Sequence, residues 1–267
     1  MSSDDARQQL QSLCEQGQDA LERTDYLRAE LHLVEADRLA TRLEDFDTLA
    51  RLYMPLQEAR RQRRQRCGEG IVQLDLIATS ADDVPNIDQI VADNPNGQFL
   101  IAGWGTAAPA AQARRLWDER RQYAEALLAA SLLTRDELAV VIVPFGDVNL
   151  PPIEVTSRLS FDALKSQVPH YCHVLRATEL PRGQRRGTWQ TYAEVMALWE
   201  CLHQPFLKAA DDGVEPLSKI EGYRRTIEVD YACELAHQKL SAVAHQIARE
   251  RRNSPVQAPS GSSGRSS

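Results

Sequence analysis

The sequence predicts an α/β protein: a small parallel sheet of about four strands, flanked by helical hairpins at both ends of the chain. Three observations lead there. Apolar residues recur at helical spacing before residue 67 and after residue 187. Between those segments, short apolar runs alternate with helical stretches, the pattern of a sheet wound with right-handed crossovers. The run LAVVIVPF, Leu138–Phe145, is apolar on both faces, as a strand inside a parallel sheet is.

Composition sets the bounds. The chain has 267 residues, 43% hydrophobic and 26% charged, ordinary proportions for a globular protein. A net charge of −7 argues against a general nucleic-acid binder. No apolar run reaches the length of a membrane span, and the N-terminal MSSDDARQQL has no apolar signal core. The expectation is a cytoplasmic chain with no membrane partner. The cysteines Cys14, Cys67, Cys172, Cys201 and Cys233 are odd in number and form no C-x-x-C pair. They read as free thiols, not as a disulfide framework or a zinc ribbon.

Taken in order, residues 9–66 form the first helical segment. One helix is expected from Gln9 to Glu22. A second follows Thr24–Asp25, where either side chain can cap a helix start. Its face carries Tyr26, Ala29, Leu33, Ala36 and Ala40. A third helix, Phe46–Arg66, carries Phe46, Leu49, Tyr53 and Leu56, and Pro55 inside it predicts a kink. It ends in Arg60, Arg61, Arg63, Arg64 and Arg66, read as a solvated end whose cations complement the helix dipole. The alternative, an anionic-partner patch, lacks the interleaved aromatics of a nucleic-acid groove.

Residues 67–186 read as the α/β domain. Strands are expected at Ile71–Ala78, Gln98–Ala102, Leu138–Phe145 and Cys172–Ala177. Helices are expected at Ile87–Asn94, Ala110–Leu133 and Phe161–Val168. The long one has Ala113, Leu116, Trp117, Tyr123, Ala124 and Leu127 on one side. Residues 187–252 return to helix. Tyr192, Val195, Trp199, Leu202 and Phe206 share an arc, and Asp211–Pro216 is a turn. Leu217, Ile220, Tyr223 and Ile227 share a second arc. After Asp230, Ala232, Leu235, Ala236, Leu240, Val243 and Ile247 share a third. Residues 253–267 are a Ser/Gly/Pro-rich tail, expected to be disordered.

The two helical ends resemble tetratricopeptide repeats. Gly17, Tyr26, Ala29 and Ala36 fall where the family's 34-residue pattern places its small contact residue, its turn aromatic and two later alanines. Trp199 and Leu202 are spaced as the Trp and Leu of the family's first helix. The repeats are degenerate: Leu13 stands at the Trp position, and Arg42–Leu43 at the closing Pro. The resemblance covers about residues 9–43 and 187–250. It implies helical hairpins stacked through small residues, packed on the sheet or on each other. It also implies a non-enzymatic function, holding another protein or a peptide in a groove, with no cofactor, metal or catalytic residue.

The competing function class is a small α/β ligand-binding or hydrolytic domain. Ligands of a parallel sheet collect beyond the carboxyl ends of its strands. That rim is expected to gather Asp82, Asp83, Gly103, Gly105, Thr106, Asp147, Arg182, Arg185 and Arg186, a set suited to a phosphate or a metal. The loop GWGTAA, Gly103–Ala108, satisfies G-x-G-x-x-[G/A]. Trp104 would crowd the phosphate path, and no acid follows the next strand for a ribose, so it reads as a glycine-eased turn. Glu200/His203 and Glu234/His237 have the E-x-x-H spacing of di-iron helices. Helical phase turns Glu234 and His237 away from the apolar seam, so a half-buried His203 and an exposed His237 are expected. His170, Cys172 and His173 lack the second half of a metal site, and Cys172 and His173 would point to opposite faces of a strand.

Overall fold

Two helix ends use the same local device. Thr24 and Glu44 take positive φ, +59° and +50°, and the aspartate after each caps the next helix. Asp25 accepts the Arg28 amide, and Asp45 accepts the Thr48 amide and hydroxyl. In this computed structural model, which describes residues 3–253, that device separates α1 (Ser3–Glu22), α2 (Tyr26–Arg42) and α3 (Phe46–Gly68). α3 runs on through Pro55 as one helix. The predicted tail beyond Asn253 lies outside the described residues.

The chain then enters the sheet: β1 (Ile71–Ile77), α4 (Ile87–Asp93), β2 (Asn96–Trp104), α5 (Ala108–Glu119), β3 (Tyr123–Leu133), β4 (Leu138–Ile142), α6 (Ile153–Thr156), α7 (Phe161–Gln167), β5 (His173–Arg176) and β6 (Arg185–Arg186). It returns to helix in α8 (Trp189–Asp211), α9 (Pro216–Val229) and α10 (Glu234–Asn253).

The sheet corrects the expected one. It has six strands in the order β5-β4-β3-β2-β1-β6. Only β1, β2 and β3 are parallel to each other; β4, β5 and β6 each pair antiparallel. The error began at Ala110–Leu133, read as one helix. The helix stops at Glu119, Arg121 turns the chain at φ +53°, and YAEALLAASLL becomes β3. Its Ala and Leu are strong helix formers, but this strand is buried on both faces between β2 and β4. Tertiary burial overrides propensity there. With β3 in place, β4 is the returning arm of a hairpin and not a parallel strand.

Alternate strand residues feed two cores. Phe99, Ile101, Ala126 and Leu128 pack against α4, α5 and α7 through Val91, Ala113, Trp117 and Leu164. Leu100, Ala102, Leu127, Val140 and Ile142 pack against α8 through Val195, Trp199 and Leu202.

A third core joins the two ends of the chain. Leu33, Leu49 and Leu56 share it with Leu207, Tyr223, Leu240 and Ile247. Neighbouring helices run α1, α2, α3, α10, α9, α8 in space, so α10 packs directly on α3. Ser241 donates to the Ala50 carbonyl at 2.6 Å. The sheet is thus spliced into one helical layer, and its entry and exit touch: the Gly187 amide donates to the Gly70 carbonyl at 2.7 Å. Among the described residues, no helix is long and apolar enough to cross a membrane.

Gly17 shows how closely the first hairpin packs. A Cβ there would lie 2.6 Å from the Leu33 side chain, which is buried. Gly17→Ala is expected to destabilise by about 1–3 kcal/mol through overpacking, read as a lower urea midpoint with an unchanged slope.

Candidate functional site

Asp82, Asp83 and Gly103–Thr106 lie at or past the carboxyl ends of the adjacent parallel strands β1 and β2, but the arginines and Asp147 of the predicted rim lie elsewhere. Arg185 and Arg186 form β6, paired with Val72 and Ile71 at the start of β1, the opposite end from the carboxyl rim. Arg185 is held by Glu194 at 2.7 Å. Arg182 is exposed beside Gly183, whose amide donates to Asp75 in the middle of β1. Asp147 is exposed and follows β4, which runs against β1–β3. Asp82 is exposed. Asp83 accepts the Thr79 amide and hydroxyl at 2.8 and 2.9 Å, and these bonds hold its carboxyl below the usual range.

The loop Gly103–Ala108 uses its own amides. Gly105 N–H goes to the Ser131 carbonyl, Thr106 N–H to the Gly103 carbonyl, and Ala108 N–H to the Thr106 hydroxyl. A phosphate would find those donors occupied. Gly105 is needed for its φ of +68°, and a Cβ on Gly103 would strike Pro109 and the Thr106 carbonyl.

The charged groups that do converge lie where α3, α8 and the α9–α10 turn meet β2 and β3. The arginine run at the end of α3 is not a solvated face. Arg64 is 3% exposed and bridges Asp230 at 2.6 Å and Glu125 at 3.3 Å. Its guanidinium sits between the Trp199 and Tyr231 rings, 4.5 and 4.6 Å from their centroids. Gln98 and the Tyr231 hydroxyl complete the hydrogen bonds of Glu125, both at 2.7 Å. Arg60 and Arg63 grip Glu30, each at 2.9 Å. Burial alone would lower the Arg64 pKa, but Asp230 and Glu125 outweigh it and raise it. Burial likewise opposes ionisation of Asp230, and Arg64 and His203 overcome it. Sequence periodicity sees Arg64 as polar, and nothing local reveals that two distant carboxylates wait for it.

Both predicted histidine pairs split. His203 Nδ1 lies 2.7 Å from Asp230, and despite burial its bonds to Asp230 and Cys233 raise its pKa to about 9. Ligand-type atoms of His203, Asp230 and Cys233 lie within 4.8 Å of one another, but the aspartate is already shared between His203 and Arg64. Glu200 is exposed, and Glu234 accepts from Gln57. His237 is fully buried, contrary to the exposed position that helical phase assigned. The reason is that α10 lies between α3 and α9 and buries two flanks. His237 Nδ1 faces the Cys233 carbonyl at 2.8 Å and Nε2 faces Arg60 at 3.2 Å. Burial and the Arg60 charge lower its pKa to about 4. Burial pushes the Cys172 thiol up to about 11, unlike an activated nucleophile.

An open concavity lies on the helical layer. A groove of about 660 Å³ lies between α1 and α3, over α2. Buried Leu10, Leu33 and Leu52 form its floor, and Arg7, Gln11, Gln18 and Arg51 stand exposed along its edges. No protein-family model, curated protein or solved structure matches the chain.

Proposed function

We propose that this is a non-enzymatic interaction protein that holds a peptide segment of a partner protein in the α1–α3 groove. One observation carries the reading: the groove has an apolar floor under edges bearing both amide and charged groups. Its volume lies within the range of roughly 300–1,000 Å³ typical of ligand sites. The tetratricopeptide resemblance of α1 and α2 points to the same use. A segment with one or two apolar side chains flanked by polar residues fits this lining. The apolar side chains would meet Leu10 and Leu52, and the backbone and flanking groups would meet Gln11 and Arg51.

The test is selection of peptides on the folded chain from a random display library, followed by fluorescence titration. Selected peptides are expected to lose at least about tenfold in affinity with Arg51→Glu or Gln11→Lys, and to be indifferent to Trp189→Ala on the far side. Substitution of a rim charge alters affinity without unfolding, because both positions are exposed. Failure to select any peptide, or binding indifferent to the groove substitutions, sinks the reading.

A further inference from the structure

β4 covers only part of the outer edge of β3. Its pairing runs from Ala129 to Leu133, and among the described residues the edge from Tyr123 to Ala126 has no strand beside it. Arg114, on α5, passes through this notch. Its Nε donates to the Ala126 carbonyl at 2.5 Å, satisfying an edge acceptor that a longer β4 would have met. The guanidinium then emerges beside Trp199 of α8, 5.3 Å from the ring centroid. α5 and α8 belong to opposite faces of the sheet, so this side chain crosses from one layer to the other.

Where it emerges is a cleft of about 170 Å³, bordered also by Arg63, Glu125 and Tyr231. At roughly 30 Å³ per water, that volume matches five or six water molecules. Each carboxylate on the border already has a cation. Glu30 is taken by Arg60 and Arg63, Asp118 by Arg63, Glu125 by Arg64 and Glu228 by Arg225. Arg114 makes no ion pair among the described residues. Among the described residues its two terminal nitrogens have no hydrogen-bond partner, and neither is fully enclosed by protein. A guanidinium fork facing a cleft matches the two oxygens of a carboxylate or phosphate.

We propose that this notch binds a small molecule through an oxyanion, a carboxylate or a phosphate, held by the Arg114 fork. Burial lowers the Arg114 pKa to about 10, although Glu125 opposes the shift; an anion on the fork would relieve that cost. The site is distinct from the α1–α3 groove and does not depend on what the groove binds.

The test is calorimetric titration of the folded chain with inorganic phosphate, sulfate and acetate in separate runs, which tells the two oxyanion classes apart. At least one is expected to bind saturably at one per chain. Arg114→Gln, which keeps a donor near Ala126, is expected to weaken it at least about tenfold, the loss of a charge-assisted pair. Arg61→Gln, at an exposed pair with Glu58, is expected to leave it unchanged. A measurement that needs no variant runs beside these: the Arg114 Nε–H resonance should shift with the same saturation curve. Saturation by none of the three, equal affinity in Arg114→Gln, or shifts confined to other arginines overturns the proposal.

Discussion

Arg64→Met is expected to destabilise the fold by about 3–5 kcal/mol, because it leaves buried Glu125 without a cation and Asp230 with His203 alone. Glu125 and Asp230 are 5% and 2% exposed, so little water reaches either carboxylate to replace the guanidinium. The penalty arises from the stranded acids more than from the lost attraction. Neutralising them should therefore recover much of it: Arg64→Met with Glu125→Gln and Asp230→Asn should be more stable than Arg64→Met alone. Urea denaturation of the single and triple variants reads both quantities. A single-variant loss under about 1 kcal/mol would mean that the junction is hydrated and the charges are screened.

Stability should also peak near pH 6.5, for reasons that differ on each side. His237 is neutral in the folded state, with its pKa depressed to about 4, while the unfolded chain takes up a proton near 6.5. Its contribution is complete above 6.5 and is lost as pH falls towards 4, by about 3 kcal/mol. The neutral tautomer with hydrogen on Nδ1 satisfies both neighbours, donating to the Cys233 carbonyl and accepting from Arg60. A second proton would face the Arg60 cation. His203 behaves oppositely. Its pKa is raised to about 9 beside Asp230 and Cys233, so its contribution is complete below 6.5 and is lost as pH rises through 9. That limb is worth about 2 kcal/mol after allowance for the water reaching its cleft. Glu30 and Asp230, whose carboxyls are also held below the ordinary range by their arginines, steepen the acid limb. Thermal melts from pH 4 to 9 of the wild type, His237→Gln and His203→Gln separate these limbs. The first variant should flatten the acid side, the second the alkaline side. A flat profile in the wild type would contradict both assignments.

What the residues disclosed in advance follows a physical line. Helices with a single buried face, such as α1 with Leu10, Gly17 and Ala20, declare themselves through periodicity. β3 does not, because a strand buried on both faces has no alternation and its Ala and Leu favour helix. His237 was misplaced because phase analysis assumes one buried face, whereas α10 has two. Arg185 and Arg186 leave the rim for a topological reason: β6 returns antiparallel to the start of β1, so they arrive at the other end. The junction around Arg64 was hidden for a different reason. Its members are separated by 61 and 166 positions, and each alone reads as a surface charge.

The central claim is that the two chain ends form one helical layer in which α10 lies against α3, with the sheet spliced between them. Nuclear Overhauser contacts between Ala50 and Ser241, and between Arg60 and the His237 ring, test it most directly. Strong cross-peaks are expected for both pairs. Assigned resonances without those cross-peaks, with the N- and C-terminal helices tumbling at different rates, would contradict it.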